Sequence, residues 1–270
     1  MTYYRPPVYL PATPDYVLAV IRDSHRQQCQ FDPEAEPDAE LTFETTIAEW
    51  RSACDLLDWR RLGRALDLEW KLGRSDAAWR TVLEPAKERT IRELCEFVAQ
   101  GSVWPVIEPV SILGSTCLTA GAFLAIRSLL REAGADVSTV RPSMPLGEFA
   151  RQHLGVFLGP ISWLAPNTLP EVQINTPWYD PCLAGFLLGL FAASAGSWFS
   201  SPLIVTAGGL LALTSWIATL KTARFLAPSS VKFGDLQTFR DLATLVAEGV
   251  ARARSPGETA RQDDGPCLPS

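Results

Sequence analysis

The sequence predicts an all-α protein made of small cytoplasmic helical bundles with an inserted two-helix transmembrane hairpin. Three observations lead there. Residues 181–220 contain no Asp, Glu, Lys, Arg or His. Elsewhere apolar residues recur at three- and four-residue steps, the helical period. Several of those stretches open on a threonine followed three residues later by a carboxylate, the pattern of a capping box.

The first segment, residues 1–41, is Pro-rich and then acidic. Pro6, Pro7, Pro11 and Pro14 favour an extended chain, and Tyr16 to Ile21 forms a short apolar patch suited to one helix or strand. Asp32, Glu34, Glu36, Asp38 and Glu40, interrupted by Pro33 and Pro37, read as a linker with too little apolar surface to fold alone. The N-terminus has no apolar core and does not resemble a secretory signal.

Residues 42–101 form a helical bundle. Thr46 with Glu49 caps a helix whose face carries Ile47, Trp50, Cys54 and Leu57, continued by Leu62, Leu66 and Trp70. A further helix spans about Asp76 to Leu83 and stops at Pro85, and Thr90 with Glu93 opens the helix from Ile91 to Ala99. Trp50, Trp59, Trp70 and Trp79 are each followed by Arg or Lys. Asp55, Asp58, Asp67, Glu69 and Asp76 share the segment, so no single-sign patch collects phosphates and no nucleic-acid partner is expected.

Residues 102–180 hold a second helical segment. An uncharged run from Pro109 to Ile126 could be a span. Gly114, Ser115, Thr116, Thr119 and Gly121 dilute it, however, and an apolar stripe continues past Arg127 and Arg131, so a packed helix from about Cys117 to Ala133 is the better reading. Another helix is expected near Leu146 to Phe157 in a stretch punctuated by five prolines between Arg141 and Pro170.

Residues 181–220 make the hairpin. Two apolar runs, Cys182 to Phe199 and Leu203 to Leu220, flank Ser200, Ser201 and Pro202. At ~1.5 Å per residue each run reaches ~27 Å, near the thickness of a bilayer's hydrocarbon. Gly185, Gly189, Gly196, Gly208 and Gly209 would let the two helices pack closely, homodimerisation being the competing use of that face. Trp178, Tyr179, Trp198 and Trp216 are placed as interface aromatics. Lys221, Arg224, Lys232 and Arg151 flank the hairpin while its turn is uncharged, so both termini are expected in the cytoplasm of an integral membrane protein.

Residues 221–254 complete the second domain with a helix from Phe239 to Arg254 that opens on Thr238 and Asp241. Residues 255–270 read as a disordered tail.

Two stretches repeat. Thr90-Ile91-Arg92-Glu93-Leu94 with Phe97-Val98-Ala99 matches Thr238-Phe239-Arg240-Asp241-Leu242 with Leu245-Val246-Ala247. Together with Leu62, Ala65, Leu66, Glu69 and Trp70 upstream and the layout of Gly114 to Leu118, this pattern resembles acyl carrier proteins, four-helix bundles that hold a phosphopantetheine arm on a serine. That serine is missing here, because Trp59 follows Asp58 in the first copy and Cys117 follows Thr116 in the second. The resemblance therefore implies a helical domain without carrier function.

Chemistry is sparse. His25 and His153 lie near no nucleophile or metal spacing in the sequence, and zinc, phosphate-loop, dinucleotide and nucleophile-elbow motifs are absent. Six single cysteines without CxxC spacing suggest reduced thiols, and 24 basic against 30 acidic residues indicate no polyanionic partner. The expectation is no catalytic residue, no metal and no cofactor. The sequence reads as a membrane-anchored interaction or scaffold protein, its partners the lipid bilayer and a cytosolic protein. Two alternatives stand beside it: a carrier-like or acyl- and lipid-binding module at the membrane, and a soluble helical protein with the hairpin as buried core.

Overall fold

The computed structural model describes residues 8–30, 32–112, 115–175, 179–198, 202–225 and 230–254, with backbone only at 112, 115, 175, 179–183, 196 and 219–225. The chain divides into two units. Unit 1 comprises residues 1–146, 153–172 and 233–270, and unit 2 comprises 147–152 and 173–232.

In unit 1 a strand β1, Val8–Pro11, leads into helix α1, Pro14–Gln28. Thr13 caps that helix through Tyr16 N, and Pro14 occupies the first turn, where its missing N–H costs nothing. Four short helices follow: α2, Ile47–Ala53; α3, Trp59–Trp70; α4, Asp76–Leu83; and α5, Ile91–Ala99. Strand β2, Val103–Val106, then returns antiparallel to β1, pairing Val8 with Val106 and Pro11 with Val103. The core beneath these elements is apolar, with Val17, Ile47, Leu83, Ile91 and Leu94 fully buried.

Strands β3, Val110–Ile112, and β4, Ser115–Cys117, make a second antiparallel pair before helix α6, Leu118–Glu132. Two shorter helices come next, α7, Leu146–Gln152, and α8, Leu154–Val156. The sequence anticipates one helix from Leu146 to Phe157. It breaks instead at His153 and ends in a distorted turn over Phe157–Ile161, where Pro160 cannot donate a backbone hydrogen bond. Strand β5, Val172–Asn175, and the hairpin helices α9, Tyr179–Trp198, and α10, Pro202–Phe225, follow. Strand β6, Ser230–Phe233, pairs with β5, and α11, Phe239–Arg254, packs on α6.

The capping boxes form as read from the sequence. Thr46 and Thr90 each accept the amide of the third helical residue, while Glu49 and Glu93 accept the cap amide in return. Thr238 and Asp241 do the same, at 2.8 Å for the Thr238 amide to the carboxylate. These amides hold Glu49, Glu93 and Asp241 below the usual carboxylate range.

The two repeated stretches occupy the same framework. In the first, Thr46 bridges Thr90 in antiparallel fashion, Ile47 N donates to Arg89 O, Ile91 N to Thr45 O and Arg92 N to Phe43 O. In the second, Pro145 bridges Thr238, Leu146 N donates to Gln237 O, Phe239 N to Met144 O and Arg240 N to Pro142 O. Each pair of helix starts is thus stitched by the same three hydrogen bonds. The buried faces also correspond: Ile91, Leu94, Cys95 and Val98 in α5 stand at the offsets of Phe239, Leu242, Ala243 and Val246 in α11. A 15-residue helix, α1 or α6, packs against each.

Several expectations are corrected. The protein is not all-α, since three two-stranded sheets accompany the helices. The strands are three or four residues long and two of them contain proline, so neither a period-2 pattern nor a long β-branched run marks them; proline is tolerated because each strand has a free edge.

The inserted transmembrane hairpin is also corrected, and with it the integral-membrane location with both termini cytoplasmic. Among the described residues no helix is long and apolar enough to cross a membrane. The reading of a helical protein without such a span agrees better with this.

The acidic stretch read as a linker is pinned in place. Ala35 and Leu41 are buried, and Glu36 N donates to Ala53 O. Residues 1–7, Gly114, Trp178, the serines of the hairpin turn and the tail 255–270 lie outside the described residues.

Candidate functional site

Two features stand out, one in each unit. In unit 2 the hairpin helices α9 and α10 meet through glycine. A Cβ added at Gly208 would lie 2.5 Å from Ala193 N and 2.8 Å from Gly189 O, and one at Gly189 would lie 2.5 Å from Ala212 N. Gly185 faces Ser215, whose Oγ is 2.7 Å from where a Cβ would sit. These three glycines line the crossing, where backbone packs on backbone. Gly209 faces open space and Gly196 lies among the residues described by backbone alone.

Of the aromatics expected at interfaces, Trp198 is 90% exposed, and Trp216 packs its ring 5.4 Å from Phe186 while remaining partly open. Tyr179 starts α9 but only its backbone is described. Hydroxyls along the helices turn back onto their own carbonyls: Ser194 onto Leu190, Thr206 onto Pro202 and Thr214 onto Leu210. This leaves the outward face with almost no polar group to offer. Leu188 and Phe191 of α9 and Leu203 and Leu210 of α10 are exposed, and Ala212 is buried in the crossing.

In unit 1, α1, α2 and α3 enclose a cavity of about 230 Å³. Its walls are Trp50, Leu62, Leu66 and Trp70, placed there because each helix turns its apolar stripe toward the other two. Trp70 is backed by Trp163, stacked at 4.5 Å, and edged by Tyr16, whose hydroxyl donates to Trp163 O at 2.9 Å. Burial raises the Tyr16 phenol well above its ordinary range.

The floor holds His25 and Cys54. His25 Nε2 lies 3.0 Å from Glu36 O, which can only accept, so Nε2 carries the proton and Nδ1 accepts from the Cys54 thiol at 3.0 Å. Cys29 Sγ lies 3.8 Å from both ring nitrogens. Thiol, imidazole and an orienting carbonyl are the parts of a nucleophile and its base. Here burial pushes the Cys54 thiol up to about 12, so it stays protonated and acts as a hydrogen-bond donor.

The sequence does not associate these two residues, which lie 29 positions apart. Only the packing of α1 on α2 brings them together, and no spacing rule would have found them. Among the described residues no group of His, Cys, Asp or Glu is arranged to hold a metal.

Glu69 stands at the rim of the cavity. Desolvation against the apolar wall raises its carboxyl above the usual range. Asp58 caps α3 through Arg60 N and Arg61 N. Trp59 then stands in the first turn with Arg60 and Arg80 over its ring. The tryptophans of the first bundle are thus largely structural, Trp50, Trp70 and Trp79 being buried.

In comparisons with known proteins, no family model matches the chain, and no curated protein or solved structure matches it either.

Proposed function

We propose that the chain is an interaction protein, acting by binding and not by catalysis, whose contact surface is the outward face of the α9–α10 hairpin. One observation supports this above the others: the hairpin turns its hydroxyl groups onto its own carbonyls yet leaves Leu188, Phe191, Leu203 and Leu210 exposed. Exposed apolar residues in such number favour contact with another apolar surface. The partner is a protein face of matching character, a second copy of this chain included.

A photo-crosslinking residue placed at Phe191 or Leu210 tests it, with the exposed Leu68 of α3 as the control position. The expected result is a discrete protein adduct from the hairpin positions, lost in Phe191→Glu/Leu210→Glu, and none from position 68. Adducts to lipid, co-flotation of the wild-type chain with phospholipid vesicles, or equal labelling at all three positions would overturn it.

A further inference from the structure

The cavity in unit 1 has a chemistry of its own. Its walls include two indoles, Trp50 and Trp70, and two leucines, Leu62 and Leu66. Glu69 is the one acidic side chain on its lining, and no Lys or Arg lines it. The cavity opens between helices, so a ligand can enter without unfolding the unit. Its size sets a limit: a cavity of ~150 Å³ holds benzene, so about 230 Å³ holds one ring with a short arm.

We propose that this cavity binds a small organic ammonium with an aryl or alkyl body, the body lying against Trp50, Leu62, Leu66 and Trp70 and the ammonium at Glu69. Apolar walls favour the body by removing its surface from water. Indole faces attract a cation through their quadrupole, and a carboxylate in a partly desolvated rim gains more from an ammonium than one in open water. The raised carboxyl of Glu69 agrees with this, for a desolvated carboxylate lacking a cation takes up a proton more readily. At the floor the Cys54 thiol and the His25 imidazole are engaged with each other at 3.0 Å.

Titration of the full chain with phenethylammonium, followed by tryptophan fluorescence and calorimetry, tests the proposal. Phenethyl alcohol and hydrocinnamate serve as neutral and anionic probes of the same body. The expected order is ammonium first, alcohol second and carboxylate last. Glu69→Gln should weaken the ammonium about tenfold, the scale of one charge-assisted hydrogen bond, and leave the alcohol unchanged. Ala65→Trp, at an exposed wall position that fills the mouth, should abolish binding of all three. Circular dichroism confirms that both variants keep their helices. Absence of saturable binding, an alcohol or carboxylate that binds as tightly as the ammonium, or an ammonium indifferent to Glu69→Gln would overturn the assignment.

Discussion

The helical hairpins α3–α4 and α9–α10 follow corresponding helix starts in the two copies of the stitched framework, yet they solve the problem of burial in opposite ways. Both use a glycine as a notch. In α3–α4, Gly63 receives the indole of Trp79, whose Cβ would lie 2.9 Å from an added methyl. In α9–α10, Gly208 and Gly189 receive backbone itself.

The first hairpin is amphipathic. Leu62, Leu66, Trp70, Trp79 and Leu83 are buried, and Arg64 pairs with Asp76 at 2.8 Å on the open side. The second is apolar on every side, so closing the helices on one another still leaves leucine and phenylalanine outside. Helical period decides the outcome. An apolar stripe can be buried completely against one neighbouring layer, whereas an apolar cylinder needs neighbours all round.

The largest expected effect lies in the first hairpin. Trp79→Ala removes a fully buried ring that fills the Gly63 notch and packs 5.1 Å from Phe97, and it should cost ~3–5 kcal/mol. Phe191→Ala in α9, 75% exposed, should change stability by less than about 0.5 kcal/mol. Chemical denaturation of both variants checks the contrast, and equal losses would mean that the second hairpin also carries a conventional core.

Gly208→Leu comes next. Its side chain would collide with backbone that cannot turn aside, so a loss of ~3 kcal/mol or more is expected, with the Phe186–Trp216 contact opened and the Trp216 emission shifted. Gly209→Leu, one residue on and facing open space, should be within about 0.5 kcal/mol of wild type. A similar response from both would place the helix crossing elsewhere.

The stitched caps are predicted to be equivalent. Thr90→Ala and Thr238→Ala each remove a side-chain acceptor from the third helical amide and should each cost ~1 kcal/mol. Thermal unfolding of the two single variants compares the copies directly, and a silent Thr238→Ala would break the correspondence.

The smallest effect is titration of the same caps. The native carboxyls of Glu49, Glu93 and Asp241 sit below their ordinary values because cap amides bond the charged form. Their contribution is therefore complete above the unfolded values of ~4 and is lost as pH falls through the native ones. Stability should decline as pH drops from about 5 toward 2, and the triple variant Glu49→Gln/Glu93→Gln/Asp241→Asn should flatten that part of the profile.

Much was legible in the residues, and for local reasons. Capping boxes announce themselves because cap and carboxylate lie three residues apart in one chain, so Thr46, Thr90 and Thr238 identify helix starts without any tertiary knowledge. The helix near Cys117 to Ala133 was read from its stripe, and α6 occupies Leu118–Glu132. The strands escaped because their pairing joins Val8 to Val106 across the whole first bundle, a contact no local pattern encodes. The hairpin shows a different limit. Composition identifies two apolar helices with small residues between them, but it also suggests a bilayer span, and among the described residues no helix is long and apolar enough for one.

The sequence by itself determined where helices begin, which faces are apolar and that residues 90–99 echo 238–247, since each of these depends on neighbours within a few positions. Tertiary structure decided that the echo is a shared hydrogen-bonded framework, that His25 meets Cys54 at 3.0 Å, and that α1, α2 and α3 leave a cavity rimmed by Glu69. Those depend on how separate helices pack. Side-chain volume and backbone approach set that packing, and neither repeats along the chain with a period that can be read in advance.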